Sequence, residues 1–288
     1  MIAGVSWVWW VGFHAVVALL LVADSLLPGR REAERPQKIS WLWTGFLFLA
    51  ATAFAVWIAV AKGHQPALEF AAGYTIEISL SIDNLFIFLV LFQGFRISPQ
   101  RQHTALLWGV AGAVVLRALF IAAGITLLRR FDWITWLFGL ILLYAAWRLV
   151  RGGSAKAAIP EWIRRLQPAT GSLLPVIIAV EFTDLLFAID SIPAVLAVSH
   201  NPFVVYTSNI AAILGLRSLY FALASILNRL RYLHYGLAAL LAFIAFKMLA
   251  ARWLDVPITL SLAIIGAILA ICAVISWIAA SRELTSDI

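Results

Sequence analysis

The chain has 288 residues, of which 64% are hydrophobic and only 12% charged, and it carries a net charge of +7. A soluble domain has about 25% charged residues, so this composition excludes an ordinary water-soluble enzyme, and it excludes a nucleic-acid-binding domain despite the excess of Lys and Arg. The single cysteine, Cys272, lies in an apolar run, which excludes an intrachain disulfide and a cysteine-based metal site.

Apolar stretches of about 20 residues, enough to cross ~30 Å of hydrocarbon, recur from end to end. They predict an all-α, polytopic membrane protein whose direct partner is the lipid bilayer. Nine spans are expected, at 5–27, 40–61, 68–94, 103–128, 131–150, 173–198, 203–226, 232–250 and 257–280. The first is expected to persist as a helix rather than a cleaved leader, because no basic residue precedes it and its apolar run is long. The loop 28–39 then holds Arg30, Arg31, Arg35 and Lys38, and the loop 96–102 holds Arg96 and Arg101. The connection 152–171, with Gly152, Gly153, Pro160 and Pro168, is the place for a short surface helix.

Fourteen Lys and Arg fall on the side of these loops and five on the other. Basic residues stay on the cytoplasmic side, so the expected topology is N-terminus outside and C-terminus inside, in a bacterial inner membrane. Trp7, Trp9, Trp10, Trp41, Trp43, Trp133, Trp136 and Trp277 fall near span ends, where interfacial aromatics belong.

Seven charged residues lie deep inside spans, away from their ends: Glu77, Asp83, Arg117, Glu181, Asp184, Asp190 and Arg217. Each costs about 2.5–3.5 kcal/mol at mid-membrane even on the lenient insertion scale, so they must face one another, water or a bound ion. An internal repeat organises them. EISLSIDN (77–84) lies over DLLFAIDS (184–191), and LRALF (116–120) over LRSLY (216–220). Residues 67–151 form one three-helix unit and 172–252 the other, joined by the loop 152–171. An odd number of helices inverts the second unit, as in many secondary transporters. Residues 1–66 add two N-terminal spans and 253–288 a final span with a short tail, all expected to face lipid or another subunit.

An ideal helix turns about 100° per residue, so straight helices cannot aim all the acids of spans 3 and 6 at one point. Breaks are therefore expected, at Ser79 and Ser81 in span 3 and at Ser191 and Pro193 in span 6. The ligands on offer are carboxylates, the amide of Asn84 and hydroxyls. His14, His64, His103, His200 and His234 all fall at span ends or loops. Hard oxygen donors suit Mg²⁺, Ca²⁺ or Mn²⁺. Arg117 and Arg217 are expected to be internal counter-ions or gating elements. Several carboxylates crowded in a low dielectric cannot all stay ionised when a cation leaves.

The segments EISLSIDNLFIF (77–88), EFTDLLFAIDSIPAV (181–195) and TSNIAAILGLRSLYF (207–221) resemble the signature segments of the TerC family, named for tellurium resistance and related to LysE-type exporters. The resemblance implies divalent metal transport, chiefly Mn²⁺ efflux. It implies Glu77, Asp83, Asn84, Glu181, Asp184 and Asp190 as metal-site residues, with Mn²⁺ as transported substrate and no organic cofactor. Proton-coupled export of Mn²⁺ is thus the expected function. Export of a basic amino acid and a membrane metal-stress scaffold stay open as alternatives. An intramembrane aspartyl protease is disfavoured, because neither Asp83 nor Asp190 has the Gly-x-Gly-Asp context. The sequence does not fix the oligomeric state.

Overall fold

The structure, a computed structural model, describes residues 5–26, 37–131, 133–151, 172–223, 233–254 and 256–286. Among them it holds nine helices: α1 (Trp7–Leu26), α2 (Gln37–Lys62), α3 (His64–Gly94), α4 (Pro99–Arg130), α5 (Ile134–Val150), α6 (Leu174–Leu196), α7 (Pro202–Leu223), α8 (Leu233–Ala250) and α9 (Ile258–Ser286). The loop basic residues at 30–35, the expected surface helix at 152–171, and Arg229 and Arg231 lie outside the described residues.

A helix stands at each of the nine expected spans, with ends shifted by a few residues. Two of the shifts, each of four residues, have local causes. α3 begins at His64 rather than 68 because Gly63, at φ +96°, turns the chain in a single residue after α2. Only glycine adopts that backbone cheaply. α4 begins at Pro99, whose fixed φ and missing donor suit a first helical position.

Five helices (α1, α2, α3, α4 and α7) carry an apolar stretch of 18 residues or more, long enough to cross a membrane. Burial sorts them into two groups. In α3 and α7 these stretches are 75% and 89% buried, whereas in α1 and α2 they are 17% buried. The protein is therefore an all-α polytopic membrane protein with α3 and α7 at its centre and α1 and α2 at its rim.

The packing is symmetric in kind. α3 lies on α7 and α4 on α6; α3 also meets α6, α4 meets α7, and α5 meets α8. Exchanging α3, α4 and α5 with α6, α7 and α8 leaves this set of pairs unchanged. Small residues set the close approaches. A Cβ at Gly73 would lie 2.7 Å from the Ser208 hydroxyl on α7, and one at Gly139 would lie 2.8 Å from Leu249 on α8. The accessory helices dock around this core: α2 on α3 and α7, α9 on α8 and α3, and α1 on α7. Cys272 is buried on α9 against Gly236.

The expected helix breaks do not occur. α3 and α6 each run continuously through Ser79, Ser81, Ser191 and Pro193. The serines do other work. The Ser79 hydroxyl donates to the Thr75 carbonyl at 2.6 Å, a back-bond the helix ladder tolerates, and the Ser81 hydroxyl donates to Glu77 Oε1 at 3.3 Å. Pro193 lies in the last turn of α6, four residues before Ala197, so it deletes one ladder bond close to where the ladder ends. No break is needed because the acids need not converge from one helix; each helix sends a different residue to the centre.

Candidate functional site

Arg117, midway along α4, is fully buried. Its long stem lets the guanidinium reach residues from three other helices. Asp184 of α6 takes one side of the fork, accepting from Nη2 at 3.1 Å and Nε at 3.4 Å. Nη1 is shared: it pairs with Glu77 of α3 and donates to Asn209 Oδ1 of α7 at 2.7 Å and to the Ser191 hydroxyl of α6 at 3.3 Å. Asn209 closes the ring by donating from Nδ2 to Glu77 Oε2 at 2.8 Å. Glu77, Asp184 and Asn209 are each less than 5% exposed. The planar, multi-donor guanidinium suits such a network better than an ammonium would. Two carboxylates face one guanidinium, so with both acids ionised the cluster keeps one excess negative charge.

Of the other expected site residues, Glu181, Asn84 and Asp190 are not in this cluster. Glu181 lies one turn before Asp184, half-buried, against α4 at Gly112, where a Cβ would strike its carboxylate. Neither Glu181 oxygen has a hydrogen-bond partner among the described residues. Asn84 and Asp190 line a separate cavity of about 20 Å³ with Arg148, between α3, α5, α6 and α8. Asp83 is on α3, but its side chain lies outside the described residues. Among the described residues, no three of His, Cys, Asp and Glu gather as a ready-made metal site. Among the described side chains, the single metal centre expected from six residues is thus divided, with only Glu77 and Asp184 brought together. Straight helices are the cause: on α6, Asp190 sits six residues after Asp184 and points elsewhere.

Arg217 also departs from expectation. It does not pair with the acids of the central cluster. It forms a buried ion pair with Asp24 of α1. On its other side it shares a cavity of about 20 Å³ with Asp184, Gly109 and Val180, room for about one water. Two polar residues were therefore missed. Asn209 stands inside TSNIAAILGLRSLYF as a lone amide in an apolar span, and that is the signal the sequence holds for it. Asp24 sits at the end of a span, where an acid ordinarily reads as solvated. Among the histidines, His14 is not at a span end as expected but inside α1, exposed, with Nε2 2.9 Å from the Tyr206 hydroxyl.

The profile of the "Integral membrane protein TerC family" matches residues 62–284. The chain belongs to the TerC family. It is 38% identical over 307 aligned positions to a Salmonella typhi protein named "Putative membrane-bound redox modulator Alx", covering 95% of each chain. It is 37% identical to the protein of the same name from Escherichia coli K12, over 93% of this chain and 94% of that one. A Myxococcus xanthus membrane protein is 36% identical, over 96% of this chain and 94% of its own length. No solved structure matches the chain. The TerC match takes in α3 to α9, and with them the whole Glu77–Arg117–Asp184–Asn209 cluster. It leaves out α1, so the Asp24–Arg217 pair joins the family's common region to a helix beyond it.

Proposed function

We propose that this TerC protein is a secondary transporter that exports a divalent cation, most readily Mn²⁺, in exchange for protons. The observation that carries the reading is the buried Glu77–Arg117–Asp184–Asn209 network, drawn from four helices at the centre of the bundle. A structural ion pair needs one acid for one arginine. This network holds an acid in excess, together with the Asn209 amide and the Ser81 and Ser191 hydroxyls, which are hard oxygen donors suited to Mn²⁺, Mg²⁺ or Ca²⁺. The TerC resemblance favours Mn²⁺ among them.

In this reading Arg117 is the resident cation. An incoming metal takes Glu77 and Asp184, and the guanidinium withdraws to hydroxyl and amide partners. When the metal leaves, Arg117 returns and protons neutralise what it cannot, Glu181 being the nearest acid without a donor. The exchange runs across an inner membrane with the N-terminus outside, the two three-helix units rocking about α3 and α6.

Export of a basic amino acid fits less well. Its carboxylate would need a free arginine, and Arg117 and Arg217 are both engaged by acids. A redox role by thiol–disulfide exchange within the chain lacks a second cysteine. The deciding experiment uses proteoliposomes. An imposed pH gradient should drive Mn²⁺ uphill, with protons moving the other way, and Glu77→Gln or Asp184→Asn should abolish both fluxes. Mn²⁺ flux that follows voltage alone, or that survives both substitutions at normal protein levels, would overturn the reading.

A further inference from the structure

Helices α1 and α2 both lie on α7 but barely on each other. Between them runs a groove of about 590 Å³ lined by aliphatic and aromatic side chains, with Ala211 and Leu214 of α7 as its floor. It follows α1 from Val8 to Leu20, about 18 Å at 1.5 Å per residue, slightly more than one leaflet of a ~30 Å hydrocarbon core. Small residues hollow it out: Gly12 has nothing within 4 Å of the place a Cβ would take. One end is closed by Trp9 and Trp57, ring centroids 3.9 Å apart. Above that end sits Lys62, the last residue of α2, with Nζ 4.6 Å from the Trp9 ring and 5.0 Å from that of Phe203. Among the described residues no carboxylate pairs with it.

We propose that this groove binds one acyl chain of an anionic phospholipid, with the lipid phosphate at Lys62. The groove lies along membrane-spanning stretches of α1 and α2, so hydrocarbon is the medium that reaches it. Water has no polar partner there, and an apolar cavity of this kind stays dry. A cation at its mouth, over an aromatic rim, selects a headgroup of net negative charge. The consequence reaches the centre of the bundle. The lipid chain would wedge α1 against α7, and α1 is the helix that brings Asp24 to Arg217. None of this depends on which solute the protein carries.

Native mass spectrometry of the protein purified from bacterial membranes in mild detergent tests the proposal. The expected result is one retained phospholipid per chain, enriched in phosphatidylglycerol or cardiolipin over phosphatidylethanolamine. Lys62→Gln changes a half-buried residue at the end of α2 and should leave the fold intact. It should keep the lipid but lower the anionic preference about fivefold, the worth of one basic residue at a membrane surface. Gly12→Phe, and separately Ala51→Phe, should fill the groove and empty it of lipid while the protein stays monodisperse. Wild-type protein without retained lipid, equal retention by both filled variants, or an unchanged headgroup preference in Lys62→Gln would each overturn the proposal. So would a wild-type dimer that Gly12→Phe converts to monomer without loss of lipid, which would make a second copy the occupant.

Discussion

Arg117 and Arg217 hold corresponding places in the two repeats, one in LRALF and one in LRSLY, and both are essentially inaccessible to solvent. Their partners differ. Arg117 is ringed by Glu77, Asp184, Ser191 and Asn209 from three helices of the repeat core, while Arg217 meets Asp24 from a rim helix outside both repeats. The membrane imposes the same demand on each: a buried guanidinium must have an acid. The repeats meet that demand in different ways. One half keeps its arginine among more acid than it needs, and this excess is the charge the proposed exchange would use. The other half uses its arginine to fasten an accessory helix with the charge balanced. A local motif fixed where each arginine sits, and the rest of the chain decided what it does.

The largest effect should come from Arg117. Replacing it by Gln leaves Glu77 and Asp184 buried together without a cation, and breaking a buried pair in this way costs about 3–5 kcal/mol. Thermal unfolding in detergent should show this loss, and transport should stop. Adding Glu77→Gln should recover much of the stability without recovering transport, since the carboxylate that would hold the cation is then gone. If the double variant is no more stable than Arg117→Gln alone, the two side chains are not coupled.

Arg217 should behave differently. Asp24→Asn or Arg217→Gln should each destabilise by about 3 kcal/mol, and the exchanged pair Asp24→Arg with Arg217→Asp should recover a large part of it. In a double-mutant cycle the coupling should fall on Asp24 with Arg217, and Glu77 with Arg217 should be additive within about 0.5 kcal/mol. Strong coupling of Arg217 to Glu77 would erase the contrast between the two arginines.

Much of this was legible in the sequence. The spans follow from the length of apolar runs, and Glu77, Asp184 and Arg117 announce themselves as charges in oil. The partner of Arg217 was not legible, because Asp24 lies nearly two hundred residues earlier, at a span end where an acid needs no partner. Asn209 lies within the motif TSNIAAILGLRSLYF, but an uncharged amide in an apolar span stands out less than a carboxylate. The expected helix breaks follow only if all the acids share one point, whereas Glu77 and Asp184 meet at Arg117 while Asn84 and Asp190 lie by Arg148.

A smaller effect is expected at the junction of α4 and α6. Gly112→Ala would put a methyl group where the Glu181 carboxylate sits. The side chain can swing aside, so the cost should stay near 1 kcal/mol. If Glu181 relays protons to the central cluster, the rate of pH-driven Mn²⁺ uptake should fall by far more than stability does. Gly109→Ala, one turn earlier on α4 and facing Val180, provides the control: similar crowding without a carboxylate. Equal losses of transport in the two variants would reduce Glu181 to a packing residue.

The smallest effect separates a continuous α6 from a broken one. Pro193 lies in the last turn of that helix, and its ring removes one donor near the end of the ladder. Pro193→Ala therefore restores one hydrogen bond at most and relieves little strain. Stability should change by no more than about 1 kcal/mol, and transport should persist, because neither Glu77 nor Asp184 depends on Pro193 for its position. The competing view makes the proline a hinge that aims Asp190 toward the centre. On that view the alanine variant would straighten α6 and lose transport at unchanged stability. Measuring uptake and thermal unfolding of Pro193→Ala side by side distinguishes the two: loss of uptake without loss of stability would restore the broken helix, and with it a role for Asp190 beside Asp184.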